Sequence, residues 1–343
     1  MSKHKKLLLI GGSNGNAHLR NFHDLISDQF ESILVVSNNI IDFASCKKLH
    51  FGLKNPIQFL QNISELRSII KEFKPDIIHV HQANSYGFLT ALANQEKIPL
   101  VLTTWGSDVL LLPNKSLLHR SMVKYVLRKA DQITADAEFM ATAIHKLIGN
   151  KKVCIANFGV AIDEQKTGLE RKKIIYSNRM HAPLYQIEKI ILESADFLKK
   201  NTDWLLKIAG QGPNTPALEK LALENLPLGS YQFVGFLNSE QNKANYQSAT
   251  IYISIPISDG TSISLLEAMA YGCIPIVSDL PANKEWITHL ENGIISDGDV
   301  MKDIEIALTL DPMSIEEKNK VIIENRATKE TNKRLFSSIY DKL

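Results

Sequence analysis

The sequence is poor in the features that would assign it a class at once. It has three cysteines in 343 residues, Cys46, Cys154 and Cys273, at long and unequal spacings. An odd set so placed forms neither a disulfide framework nor a zinc pattern, and it suits a reducing compartment where each thiol is a small packing residue. Long apolar runs are missing as well. Stretches such as Leu7 to Ile10 and Val109 to Leu112 fall far short of the ~20 residues that a bilayer span needs. Charge of one sign is absent, because 39 Lys and Arg face 37 Asp and Glu for a net +2. No helix shows the dense basic stripe with interleaved aromatics expected of a nucleic-acid binder, so no nucleic acid is expected as a partner. With 44% hydrophobic and 22% charged residues, the chain is neither disordered nor collagen-like.

What is present suggests two domains, on length alone. Residues 1–165 hold 19 basic and 14 acidic residues, and residues 166–343 hold 20 and 23. A mildly basic first half and an acidic second half fit two domains with different partners. The basic start before Leu7 imitates a signal peptide. The glycines Gly11 and Gly12 arrive too soon for an export signal, so a first buried strand and a cytoplasmic location are expected.

Strand-like apolar runs cover residues 6–10, 33–37, 77–81, 100–104 and 132–135, with helical patterns over about 18–29, 63–73, 86–94 and 117–129. After a polar stretch at 163–173 the pattern restarts. Strands are expected over 173–177, 204–209, 231–234, 251–255 and 275–278, and helices over 187–199 and 216–224. Alternation of this kind predicts an α/β protein of two Rossmann-like, doubly wound domains, each a parallel sheet covered by helices on both faces. The expected limits are 1–165, 166–312 and a charged helical tail over 313–343. Ligands gather outside the carboxyl ends of strands in such sheets, and a central cleft between the domains is the natural site.

Three loops at strand ends are rich in small polar residues. The run Gly11 to Asn16 lacks the spacing of a dinucleotide fingerprint and the Gly-Lys-Ser/Thr of a P-loop. It reads either as a plain strand-helix turn or as a place where Gly12 and Asn14 meet a ligand. Thr103 to Asp108 offers Trp105 as a sugar platform and Asp108 as a hydroxyl acceptor, or else a packing residue and a helix N-cap. The third loop, Ser258 to Gly272, says most. Its run from Ser262 to Tyr271 should be helical and stop at Gly272. Gly260 lets the backbone approach a ligand, and the helix start offers free N–H groups to a phosphate. Glu267 on the apolar helix could reach a ribose or be a buried carboxylate with a partner.

The stretch Asp259 to Pro275 (DGTSISLLEAMAYGCIP) resembles the donor-binding signature of family 4 (group 1) glycosyltransferases, retaining enzymes of the GT-B fold. PDIIHVH at 75–81, LVLTTWGSD at 100–108, Asn157 to Val160, IAGQGP at 208–213 and FVGF at 233–236 match further landmarks in order. The resemblance covers about residues 6–310, and it implies that the end of the tail over 313–343 crosses back onto the first domain. It implies that Glu267 holds the donor ribose and that Asp259 contacts the donor sugar. The backbone of Gly260, Thr261, Ser262 and Ile263 would meet sugar and diphosphate, with Gly210 and Gly235 in the nucleotide loops and with Gly12 and Tyr185 also against the donor. Arg179 would neutralise the diphosphate leaving group, a task suited to a planar guanidinium. Three departures stand out. Leu184 and Tyr185 occupy the place of a family lysine, Trp105 stands where relatives have histidine, and Asp259 replaces glutamate.

The resemblance implies transfer of a sugar from a nucleoside-diphosphate donor, a UDP-sugar by preference, to a lipid-linked or polysaccharide acceptor of a surface glycan. Arg179, Asp259 and Asp108 would carry catalysis. The departing phosphate oxygen can take the acceptor proton, so no strong protein base is needed. Neither a cofactor nor a metal is implied. Asp297-Gly298-Asp299 matches a metal-binding tripeptide by a pattern with many false positives, and His79 and His81 share a strand face without an evident third ligand. The segment Lys115 to Lys129 has five basic residues, no acid and leucines at helical spacing. It reads as an ordinary sheet-covering helix or as an attachment to anionic lipid at the inner face of the membrane. Two competing readings are a nucleotide-sugar 2-epimerase and a catalytically weak, nucleotide-sugar-binding scaffold. The missing export signal argues against a solute-binding protein.

Overall fold

A computed structural model describes residues 4–12, 17–42, 44–53, 55–162 and 171–343. The chain divides into two compact units, Met1–Phe158 with Lys329–Leu343, and Gly159–Thr328. The expected limits were 165/166 and 312/313. The tail is in fact shared out: helix Pro312–Arg326 belongs to the second unit and helix Lys329–Tyr340 to the first.

In the first unit the described strands are β1 (His4–Ile10), β2 (Phe30–Ser37), β3 (Ser45–Lys48), β4 (Ile77–His81), β5 (Leu100–Thr103), β6 (Gln132–Ala135) and β7 (Val153–Ile155). They form one parallel sheet in the order β3-β2-β1-β4-β5-β6-β7. Side chains alternate across the strands. Leu8, Ile10, Ile78 and Val80 enter one core layer, while Leu7, Leu9, Ile77 and Val101 enter the other. Both faces are covered, so these strands read as continuous apolar runs. The last helix adds Phe336, Ile339 and Tyr340 to the second layer, with Phe336 edge-on to Phe22 at 4.9 Å.

The second unit repeats the plan with β8 (Lys172–Ser177), β9 (Leu205–Ala209), β10 (Tyr231–Gly235), β11 (Ala249–Ser254), β12 (Ile274–Ser278) and β13 (Ile294–Ser296). Its parallel sheet runs β10-β9-β8-β11-β12-β13. In each sheet the strand order reverses once, between β1 and β4 and between β8 and β11. A crevice opens at the carboxyl ends of such a pair, and ligands of doubly wound sheets bind there.

Candidate active site

In the second unit the chain leaves β8 at Ser177 and reaches Arg179 two residues later. From β11 it leaves at Ser254 and passes Asp259 before entering helix Ile263–Ala270. The reversal point therefore brings together residues 80 positions apart. Arg179 Nη2 donates to Asp259 Oδ2 at 2.6 Å, and its Nη1 donates to the Ser262 hydroxyl. The Tyr185 ring covers the guanidinium, 4.6 Å from Cζ to the ring centroid. Only 10% of the Arg179 side chain is exposed. Burial works against its charge, yet Asp259, Tyr252 and Tyr185 outweigh it and hold the arginine pKa above the ordinary value. Burial pushes the Asp259 carboxyl up, opposed by Arg179 and by the Gly260 N–H.

The surrounding loops are shaped by glycine. A Cβ on Gly210, at the end of β9, would sit 2.4 Å from the Arg179 carbonyl oxygen, and φ is +106° there. Only glycine lets the two strand ends approach so closely. The Gly210 N–H donates to the Gly235 carbonyl at 2.8 Å. Between these turns lies a cavity of about 170 Å³ lined by Asn178, Met180, Gly210, Gln211, Phe236 and Asn242. The Phe236 ring is 79% exposed, an uncommon state for a large apolar side chain next to a cavity. Ser262 is the N-cap of helix Ile263–Ala270 and accepts from the Leu265 N–H. Glu267 is half-buried on this helix. Burial raises the phenol pKa values of Tyr176 and Tyr246, and the charge of Glu267 adds to the rise. Asn178 donates to the Tyr246 hydroxyl at 2.7 Å, and Tyr176 donates to Asn242 at 2.5 Å.

The structure thus gathers Arg179, Asp259, Ser262 and Tyr185 at one point, with Gly260 and Thr261 on the same loop. Gly210 and Gly235 meet on the adjoining turns. Asn178 and Asn242 are additions that the sequence alone does not flag, since an isolated amide side chain carries no spacing signal. Gln211 and Phe236 had one signal each, their places in the IAGQGP and FVGF segments.

In the first unit Gly12 lies two residues past β1, where a Cβ would lie 2.4 Å from Asn38 Oδ1. Asn14 lies outside the described residues. Asp108 is 2% exposed. Its two oxygens accept the Ala83 N–H at 2.7 Å and the Trp105 N–H at 3.0 Å. It is therefore not a helix N-cap. It ties the loop after β4 to the loop after β5. Burial raises its pKa against these N–H groups. The Trp105 ring lies 5.2 Å from His18 and 5.4 Å from His81, with its Nε1–H buried and unpartnered among the described residues. His79 is fully buried between the Tyr340 hydroxyl and Thr103 Oγ1, each at 2.7 Å. Asp299 caps helix Val300–Ala307, and Asp297 pairs with Lys302 at 2.7 Å.

Two family models match the chain: "Glycosyl transferase 4-like" over residues 7–137 and "Glycosyl transferases group 1" over residues 161–329. An uncharacterised glycosyltransferase of Methanocaldococcus jannaschii is 25% identical over 311 residues, 89% of this chain and 83% of that protein. A GDP-mannose:cellobiosyl-diphosphopolyprenol alpha-mannosyltransferase of Xanthomonas oryzae is 23% identical over 233 residues, 65% of this chain and 61% of its own. Among solved structures, Anabaena HepE in complex with UDP superposes with a TM-score of 0.77 at 15% identity, over 99% of this chain and all of that one.

Proposed function

The chain belongs to the group 1 glycosyltransferases and has the GT-B fold, and from that premise we propose a retaining, metal-independent hexosyltransferase of family 4 that takes its sugar from a nucleoside-diphosphate donor bound on the second unit. The observation that carries this reading is the Arg179 guanidinium held beside Asp259 and Ser262 at the start of helix Ile263–Ala270. Charge develops on the leaving diphosphate as the glycosidic bond breaks, and a preorganised cation with helix-end amides stabilises it. The positive charge at that point comes from the guanidinium. In the reading of retention, a diphosphate oxygen accepts the acceptor proton and the acceptor attacks from the same face. Glu267 takes the donor ribose, Asp259 the sugar, and the 170 Å³ cavity beside Phe236 the base. UDP is favoured because HepE binds it.

A lipid-linked or polysaccharide acceptor in surface glycan synthesis is proposed with support from the mannosyltransferase relative, whose name specifies a diphosphopolyprenol. Asn14 and Trp105 are the proposed acceptor-side contacts, with Asp108 holding the Trp105 loop. Helix Leu117–Lys129 would rest on anionic lipid at the inner membrane face.

Calorimetric titration with UDP and UDP-glucose tests the donor site. Loss of one charge-assisted phosphate contact should weaken binding in R179Q about tenfold to a hundredfold, and E267A should weaken UDP-glucose and UDP alike. Wild-type affinity in R179Q would sink the reading. The anomeric configuration of the first product, read by NMR, decides retention.

A further inference from the structure

Arg179 has an aromatic neighbour, Tyr185, which the donor reading counts only as a contact to the donor. The donor reading asks this guanidinium to change partners. In the free chain its N–H groups point to Asp259 and Ser262, and a diphosphate arriving there needs those same donors. Guanidinium donors lie in one plane. Asp259 and Ser262 compete with phosphate for that plane. Tyr185 differs from them, because its ring lies against the cation, 4.6 Å from centroid to Cζ, in addition to the hydrogen bond its hydroxyl makes with the same side chain. The attraction between ring and cation does not depend on which oxygens the N–H groups face, so it survives an exchange of those oxygens.

Tyr185 is itself held fast. It ends the single turn Pro183–Tyr185, where its N–H donates to the Ala182 carbonyl at 3.0 Å. The preceding carbonyl, of Leu184, accepts the Ile257 N–H at 2.9 Å, two residues before Asp259. The ring also packs against the apolar core of the second unit. One strap therefore ties the platform to the loop that carries Asp259. Water reaches little of the guanidinium, and a desolvated cation–π contact is stronger than an exposed one.

We propose that Tyr185 is a positioning residue that keeps the Arg179 guanidinium aimed at the donor diphosphate while its in-plane partners change from carboxylate to phosphate. The inference rests on the donor reading of Arg179, and its test separates the two. UDP and GDP are titrated against wild type, Y185M, Y185F, R179Q and Y185M/R179Q, with a melting curve for each. Methionine keeps volume without an aromatic face, and Y185L serves if Y185M does not fold. Y185M should bind the diphosphate about three- to tenfold more weakly, while Y185F, which keeps the ring and loses only the hydroxyl, should stay closer to wild type than Y185M does. In the R179Q background Y185M should change nothing further, since a residue that acts through another has no effect once that other is gone. A purely structural role would weaken binding equally in both backgrounds and would overturn the inference. So would unchanged affinity in Y185M. If wild type binds neither diphosphate, the donor reading and the inference fall together; if wild type binds and Y185M matches it, only the inference falls.

Discussion

Asp259 and Asp108 each follow a strand end, and both carboxyl groups are pushed up by burial. Their partners separate them. Asp259 faces a guanidinium, whereas Asp108 faces backbone N–H groups of two loops. The sequence marks both as acids beside small residues, and the spacing to Glu267 singles out Asp259. Nothing in the sequence tells that Asp108 points inward, because its acceptors' donors at Ala83 lie 25 positions away. Asp108→Asn would turn an amide NH2 toward a backbone N–H and leave that donor unsatisfied. A stability loss of about 2–3 kcal/mol is expected in urea unfolding, with UDP affinity unchanged. Full stability in D108N would mean that these bonds contribute little; weakened UDP binding would give the residue a part in donor capture. Tyr185 illustrates the opposite limit. The resemblance places it in the donor site, at the position of a lysine, but a Pro-Leu-Tyr turn has no pattern from which a ring against a distant arginine could be read.

At the scale of elements, the central strands and the signature helix were legible. The expected helix from Ser262 to Tyr271 is Ile263–Ala270 with Ser262 as its cap. Strands β3, β7 and β13 were not announced, and each lies at a sheet edge. An edge strand has one neighbour and needs less apolar character, so Ser45–Lys48 reads SCKK and leaves no run to detect. Helix Leu117–Lys129 resolves into two faces. Met122, Val123, Val126 and Leu127 are buried, as a sheet-covering helix requires. The other face holds Arg120, Lys124 and Arg128 at successive turns, and Leu117 and Leu118 at its start are 84% and 78% exposed. Apolar side chains flanked by cations, with no acid between Asp108 and Asp131, match the chemistry of an anionic bilayer. Cosedimentation should rise with phosphatidylserine content and fall with salt, and L117S/L118S and R120E/K124E should each reduce it several-fold. Binding indifferent to anionic lipid would leave the helix its packing role alone.

Over the whole molecule, the chain builds its first unit from both ends. Sequence alternation revealed two sheets, and the family resemblance implied the return of the tail to the first domain, but which residues it reaches depends on contacts hundreds of positions apart, such as His79 with Tyr340. That return covers His79, and His81 lies beside it with 5.1 Å between the ring centroids. Burial holds the His79 pKa well below its ordinary value, and the nearby His81 adds to the effect. Burial, helped by His18, brings His81 down to about 3. Both imidazoles are therefore neutral in the folded chain at a pH where the unfolded chain protonates them. For His81 the unfolded state binds more protons between about pH 6.5 and pH 3, so stability falls as pH falls, by up to about 1.4 kcal/mol per pH unit, and His79 acts in the same direction. From pH 7 to pH 5 His81 alone should remove about 2 kcal/mol from the first unit, and His79 adds to the loss. The chain has three tryptophans; W204F/W286F leaves Trp105 as a fluorescent reporter of that unit. Urea unfolding followed by Trp105 should show the loss, and H81L should remove about 2 kcal/mol of it. The apolar substitution also deletes two ring nitrogens that have no hydrogen-bond partner among the described residues, so H81L should be no less stable than the parent at pH 5. Equal stability of the parent at pH 7 and pH 5 would show that the histidines are protonated in the fold and that the returning helix does not seal them from water.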